Sequence, residues 1–201
     1  MNYLAFGLAQ EGVTDFAALR VLLNRVLAQM AHADHTTSFS WDIVDAGKSS
    51  DENIQQVVAS ADFDVVIAHR DGAARASGVA SQLRTLGAVP LVPVKEMEAW
   101  LVVDPPSIGR ALGVPNHAMQ PLASPRMVES FADPKQTYRD HIQQCVGLRR
   151  VRRAGQRTND YIELIAGELD LNLLGQLSAF RDFRSDLRDA IGQKGWPFRQ
   201  T

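Results

Sequence analysis

The sequence predicts an α/β fold: a mostly parallel, Rossmann-like sheet flanked by helices, with a helical extension at its C-terminal end. Two observations carry that expectation. Over the first hundred residues, short apolar runs alternate with helix-period patterns, the signature of strand–helix–strand units. From Asp133 onward the pattern is helix and turn alone. The expected division is an α/β core over residues 1–104 and a helical extension over 105–201, packed on that core as one globular unit.

Tyr3 to Ala9 is a short apolar run ending at Gln10-Glu11-Gly12, a first strand. A helix is expected from about Asp15 to Ala31, capped by Thr14, because Phe16, Leu19, Leu22, Leu23 and Val26 recur at helical spacing. Phe39 to Val44 alternates Phe39, Trp41 and Ile43 with polar neighbours and reads as a half-buried edge strand. Asp51 to Ala59 reads as a short helix. Asp64 to Ala68 contains Val-Val-Ile, a buried central strand ending at His69-Arg70-Asp71. Ala73 to Leu86 follows as a helix with Val79, Leu83 and Leu86 inward. Val89 to Val94 is extended, and its two prolines restrict it to an edge or to irregular pairing. A helix is expected over Glu96 to Val103, stopped by Pro105-Pro106. Pro115, Pro121, Pro125 and Pro134 then punctuate a looping region. Helices are expected at Lys135–Cys145, Thr158–Leu169 and Leu177–Ile191.

The 201 residues are 45% apolar and 22% charged, enough to bury a core without disulfides or a structural metal. A single cysteine, Cys145, excludes a disulfide framework and a multi-cysteine zinc site, and it reads as a small, partly buried side chain. A formal charge of -2 gives no global attraction to nucleic acid or anionic lipid, so any phosphate-binding surface is a local patch. There is no basic leader and no apolar run near the roughly 20 residues that span a bilayer. A cytoplasmic location without membrane contact is therefore expected.

In open parallel sheets, ligands collect beyond the carboxyl ends of the strands, where the strand order switches. Glu11 lies just past the first strand, Asp71 just past the third, and Asp15 in the next helix's first turn. Together they can hold a hard divalent cation, which binds carboxylate oxygens and keeps several waters. Each also has a plain reading. Asp15 is favoured by the helix dipole, Glu11 is a loop acid beside a glycine, and Arg70-Asp71-Gly72 is a turn.

These residues carry a resemblance. Glu11-Gly12-Val13-Thr14-Asp15 after a strand, followed by a buried strand ending in His69-Arg70-Asp71, resembles the TOPRIM fold of topoisomerases, primases, ribonuclease M5-type enzymes and overcoming-lysogenization-defect nucleases. Pro93-Val94-Lys95-Glu96-Met97-Glu98-Ala99-Trp100-Leu101-Val102-Val103-Asp104 is similar to the Glu-x-Glu-Ala-Trp-Leu-x-x-Asp signature of a TOPRIM-like bacterial family catalogued as domain of unknown function 4276. Asp133-Pro134-Lys135 and the Phe180-x-x-Phe183 helix also suit that family. The resemblance implies a nuclease that hydrolyses DNA or RNA phosphodiesters with Mg²⁺ or Mn²⁺. Glu11, Asp71 and Glu96 would be catalytic, and Glu11, Asp15, His69, Asp71 and Glu98 would bind metal. It also implies a partner ATPase in a bacterial anti-phage or mobile-element setting, and a homodimer is a further expectation.

The sequence departs from the TOPRIM Asp-x-Asp pair at its first position, which is His69. Histidine ligates transition metals but suits Mg²⁺ poorly. A shift toward Mn²⁺, a weakened site and a lost activity all stay open, the last as a TOPRIM-fold binding or regulatory module. Helical spacing puts Glu96 and Trp100 on one face and Glu98 on another. Asp104 before Pro105 reads as a helix stop.

Arg149, Arg150, Arg152, Arg153 and Arg157 form the concentrated basic patch, either a nucleic-acid contact or a solvated turn paired with local acids. Lys48, also just past a strand, can project over the same crevice. Gly47-Lys48-Ser49 is no phosphate loop, because position 42, where that motif needs glycine, is Asp42. His69-Arg70-Asp71 matches a kinase triplet without the rest of a kinase. His32 and His35 complement a helix C-terminus and lack a third ligand.

Overall fold

The structure, a computed structural model, describes residues 2–34, 39–115, 119–148 and 161–195. Its sheet has four strands in the order β2-β1-β3-β4: β1 (Asn2–Gln10), β2 (Phe39–Lys48), β3 (Val65–His69) and β4 (Val89–Leu91). All neighbours pair in parallel. The crossovers are α1 (Val13–Asp34), α2 (Asp51–Ser60) and α3 (Ala76–Thr85), the last entered through a 3-10 turn at Ala73–Arg75. After β4 come α4 (Met97–Leu101), α5 (Pro105–Leu112), α6 (Pro134–Leu148), α7 (Ile162–Glu168), α8 (Leu171–Leu174) and α9 (Ser178–Gln193). No strand follows Leu91 among the described residues.

Side-chain alternation divides the sheet between two cores. Leu4, Phe6 and Leu8 of β1, with Val65 and Ile67 of β3, pack under α1 and the C-terminal helices. That same cluster takes in Trp100, Ile108, Cys145, Ile165, Phe180, Phe183 and Leu187, so the extension shares the core of the α/β part. Trp100 and Phe180 meet edge to face at 5.2 Å, and Phe183 lies 6.1 Å from Phe180. On the other sheet face, Ala9, Ala46, Val66 and Ala68 pack against Ile54 and Leu83 of α2 and α3. Cys145 is fully buried, deeper than expected.

Three local expectations are corrected. The helix after β1 begins at Val13, before Thr14, so Thr14 is not its cap. Asp15 turns back instead, and its Oδ2 accepts from the Gly12 amide at 3.0 Å. Pro105-Pro106 begin a helix rather than a loop, since proline's fixed φ and missing N–H suit a first helical turn. Asp104 precedes that helix, buried and paired with Arg110 at 3.0 Å. Glu96 lies outside α4, extended at φ -126° and ψ 159°, so helical spacing does not govern where it faces relative to Glu98.

No described helix is long and apolar enough to cross a membrane. His35 and Arg149–Arg157 lie outside the described residues, as does the side chain of His32.

Candidate functional site

The strand order creates one switch point. From β1 the chain passes through α1 to β2 on one side, then returns past β1 to β3 on the other. The gap between the carboxyl ends of β1 and β3 is where such sheets open a crevice. Register sets what meets there. Ala9 is opposite Ala68, so the next residues on each chain bring Gln10 and Glu11 alongside His69, Arg70 and Asp71.

Hydrogen bonds fix the acids. Glu11 Oε2 accepts from the Asp71 amide at 3.1 Å, joining the two strand ends. Asp71 Oδ1 accepts from the Met97 amide at 3.0 Å, joining β3 to the start of α4. Gly72 makes this approach possible. Its amide donates to Pro93 O at 3.1 Å, and a Cβ there would lie 2.3 Å from that oxygen and 2.5 Å from Ala76 Cβ. The following residue, Ala73, takes a left-handed φ of 44°, a conformation unfavourable for a residue with a Cβ.

His69 continues the Val65–Ile67 alternation onto the α1 side of the sheet and is 1% exposed. Its Nδ1 lies 4.0 Å from Asp15 Oδ2 and its Nε2 3.6 Å from Asp71 Oδ1. Neither ring nitrogen has a hydrogen-bond partner, and one oxygen of Glu96 is likewise buried and unpaired.

Burial raises the Asp15 carboxyl above its ordinary value, against the attraction of His69 and the Gly12 amide; Asp71 and Glu98 add to the rise. Glu96 is raised too, by burial and then by Glu98 and Asp71. Glu98 thus acts on both Asp15 and Glu96. Glu98 is also paired with Lys135 Nζ at 3.5 Å.

Lys135 and Tyr138 are contributions of α6 that local pattern could not assign. Tyr138 is buried, and burial together with Glu98 pushes its hydroxyl upward. The Asp133-Pro134-Lys135 triplet was the available signal, but nothing in it names Glu98 as the partner. Lys95 is anchored elsewhere, its ammonium donating to Phe131 O.

Lys48 ends β2 beside Gln10. The register slips between Leu8 and Gln10, with Gly47 at φ 84° in the extra residue's place, a bulge that re-aims the strand end. Gln10 Nε2 donates to Asp45 at 3.0 Å, and Arg70 ties the loop down by donating to Ser49 O and to Asp51 Oδ1 at 2.7 Å. Lys48 itself is exposed.

The donor set fits a divalent cation by its chemistry. It offers carboxylate oxygens, of which Asp15 and Glu96 are raised by burial and by the acids Asp71 and Glu98, beside an imidazole with no hydrogen-bond partner. Among the described residues, though, no three His, Cys, Asp or Glu side chains are gathered closely enough to form a ready metal-binding group. Arg149, Arg150, Arg152 and Arg153, expected to bind nucleic acid, lie outside the described residues beyond α6, the helix whose first turn carries Lys135. Two cavities, of about 200 Å³ between α3, β4 and α9 and about 260 Å³ around Phe63 and Lys194, are lined by none of Glu11, Asp15, Asp71, Glu96 and Glu98.

No family model matches the chain, and neither does a curated protein or a solved structure.

Proposed function

We propose that the protein is a divalent-metal-dependent phosphodiesterase of the TOPRIM kind, hydrolysing DNA or RNA. The observation that carries this reading is the placement of Asp15 and Asp71 at the two nitrogens of buried His69, with Glu11 bonded to the Asp71 amide, at the switch point of a parallel sheet. The sequence resemblance supports the same assignment.

Asp15 and Asp71 would hold the ion, with Glu11 and Glu98 beside them. A bound Mg²⁺ or Mn²⁺ supplies Lewis acidity to a phosphoryl oxygen and lowers the pKa of a water. The protein's own groups do the remainder. The Gly12 and Met97 amides hold the Asp15 and Asp71 carboxylates in fixed orientations. Glu96, whose carboxyl is raised by burial and neighbouring acids, is suited to move a proton at its unpaired oxygen. Lys135, beside Glu98, and exposed Lys48, at the end of β2 next to Gln10, would offer ammonium groups to substrate phosphates. Nucleic acid is the proposed substrate; a partner ATPase and a homodimer rest on the sequence expectations alone.

A second reading has one observation in its favour. The acids are braced by amides and Lys135 rather than gathered as a ready ligand group among the described residues. On that reading the crevice serves a binding or regulatory module with little catalysis.

Incubating the purified protein with plasmid, linear duplex and single-stranded nucleic acid in Mg²⁺ and in Mn²⁺ separates the two. Cleavage that Glu11→Ala and Asp71→Ala each reduce by about a hundredfold or more is the expected result. Cleavage that survives both substitutions sinks the assignment, and no cleavage of any substrate favours the module.

A further inference from the structure

β4 is the outer strand on its side of the sheet, so one of its edges has no strand neighbour. On the inner edge, Arg70 N–H donates to Leu91 O at 3.4 Å and Gly72 N–H to Pro93 O at 3.1 Å. Peptide groups of alternate residues in an extended chain face opposite sides. Pro90 and Val92 therefore turn theirs outward. Pro90 has no N–H to offer, as suits an edge. Val92 has one, and no described residue accepts a hydrogen bond from it.

These groups open on the groove of about 200 Å³ between α3, β4 and α9. Ala76 and Ala80 of α3 pack with the core on one sheet face, and Phe183 of α9 belongs to the core on the other. The groove thus lies between the two helix layers, in the plane where a next strand would run. Ala76, Ala80 and Ala179 line it with small side chains that let another backbone come close. Arg84, in the last turn of α3, spans the groove to Asp186 with bonds of 2.7 and 3.1 Å. Asp182, one turn before Asp186, lines the same groove and is exposed. Arg84 is the one cation among the described lining residues and is taken by Asp186, so Asp182 leaves one negative charge in excess. The volume is below the roughly 300–1,000 Å³ of a small-molecule site and suits inserted side chains.

We propose that the outer edge of β4 docks an extended peptide segment of another protein, which adds as a fifth strand to the four present. It bonds the outward peptide groups of Pro90 and Val92, sets an apolar side chain against the alanines, and brings a lysine or arginine to Asp182. Main-chain bonds at a sheet edge give affinity, while the slot and the acid select the sequence. This site is separate from the acidic crevice and does not depend on its chemistry.

Selection of random heptapeptides displayed on phage against the full chain supplies the probe, and fluorescence anisotropy measures the enriched peptide made synthetically. Enriched sequences should alternate apolar residues and carry a lysine or arginine. Asp182→Lys, at an exposed position, should keep the wild-type Tm and weaken binding about fivefold or more at low salt. Ala80→Phe, which fills the groove, should weaken it about tenfold or more. N-methylation of the peptide, one amide at a time, should weaken binding at alternate positions only, a readout that needs no variant to fold. Enrichment of no peptide, binding that both folded variants leave unchanged, or a methylation scan without alternation overturns the inference. A wild-type dimer that Asp182→Lys makes monomeric, with no peptide bound, also overturns it and gives the edge to a second copy of the chain.

Discussion

Gly72→Ala puts the construction of the crevice under direct strain. Gly72 has an ordinary φ of -77°, so the backbone would accept alanine. The obstacle is space. The added methyl would sit 2.3 Å from Pro93 O, 2.5 Å from Ala76 Cβ and 2.9 Å from Ala76 Cα, and none of these atoms is the free end of a flexible side chain. Relief requires separating the end of β3 from the segment after β4, which also breaks the Gly72 N–H bond to Pro93 O. Overpacking costs about 1–3 kcal/mol and the hydrogen bond about 1 kcal/mol, so a loss of about 2–4 kcal/mol is expected. For a chain of this size that lowers Tm by roughly 5–15 °C. The same shift would pull Asp71 from the Met97 amide, so divalent-ion binding should weaken alongside stability. Gly78→Ala is the control. Gly78 is exposed within α3, and a methyl added there would meet nothing within 4 Å, so alanine should stabilise by about 0.5–1 kcal/mol. Urea denaturation of both variants reads the difference. A Gly72→Ala loss below about 0.5 kcal/mol, the ordinary surface range, would refute the steric account.

Burial holds Asp15 above its ordinary value of 3.8, so between that value and the raised one the native state binds more protons than the unfolded state. The metal-free protein should therefore gain stability as pH falls through the raised value, and Asp15→Asn should be more stable at pH 7, with the advantage shrinking on acidification. Parallel denaturation curves whose separation stays constant from pH 7 down to the ordinary Asp range would contradict this. Trp100→Ala removes the ring that packs edge to face on Phe180 and should cost about 3–5 kcal/mol. A two-state unfolding transition shifted as a whole is expected, because one hydrophobic cluster runs from the sheet into the C-terminal helices. Separate transitions for the two parts would speak against a shared core.

The strands were legible because their signals are local. Val65–Ala68 is an unbroken apolar run and is buried throughout, and the alternation through Trp41 and Ile43 marks a strand at the sheet's edge. The convergence of Glu11 with Asp71 also followed from local signals, since they lie one and two residues past parallel strands that pair directly. Errors arose where a residue has two opposite uses. Pro105-Pro106 end one helix by beginning another, and Glu96 precedes α4 instead of sharing its period. Contacts between distant segments left no periodic trace. Nothing in Asp133-Pro134-Lys135 reports that Lys135 reaches Glu98, or that Tyr138 lies close enough to be perturbed by it. His69 stood out in sequence as a departure from a carboxylate pattern. Its burial, with both nitrogens unpaired between two acids, required the fold.

The central claim is that the charge of the switch-point carboxylates drives metal-dependent phosphodiester cleavage. Asp71→Asn tests it most directly. An asparagine oxygen can still accept from the Met97 amide, so the brace survives while the negative charge is lost. Cleavage of nucleic acid in Mn²⁺ should fall by about a hundredfold or more with little change in Tm. Cleavage at the wild-type rate by the folded variant would contradict the account.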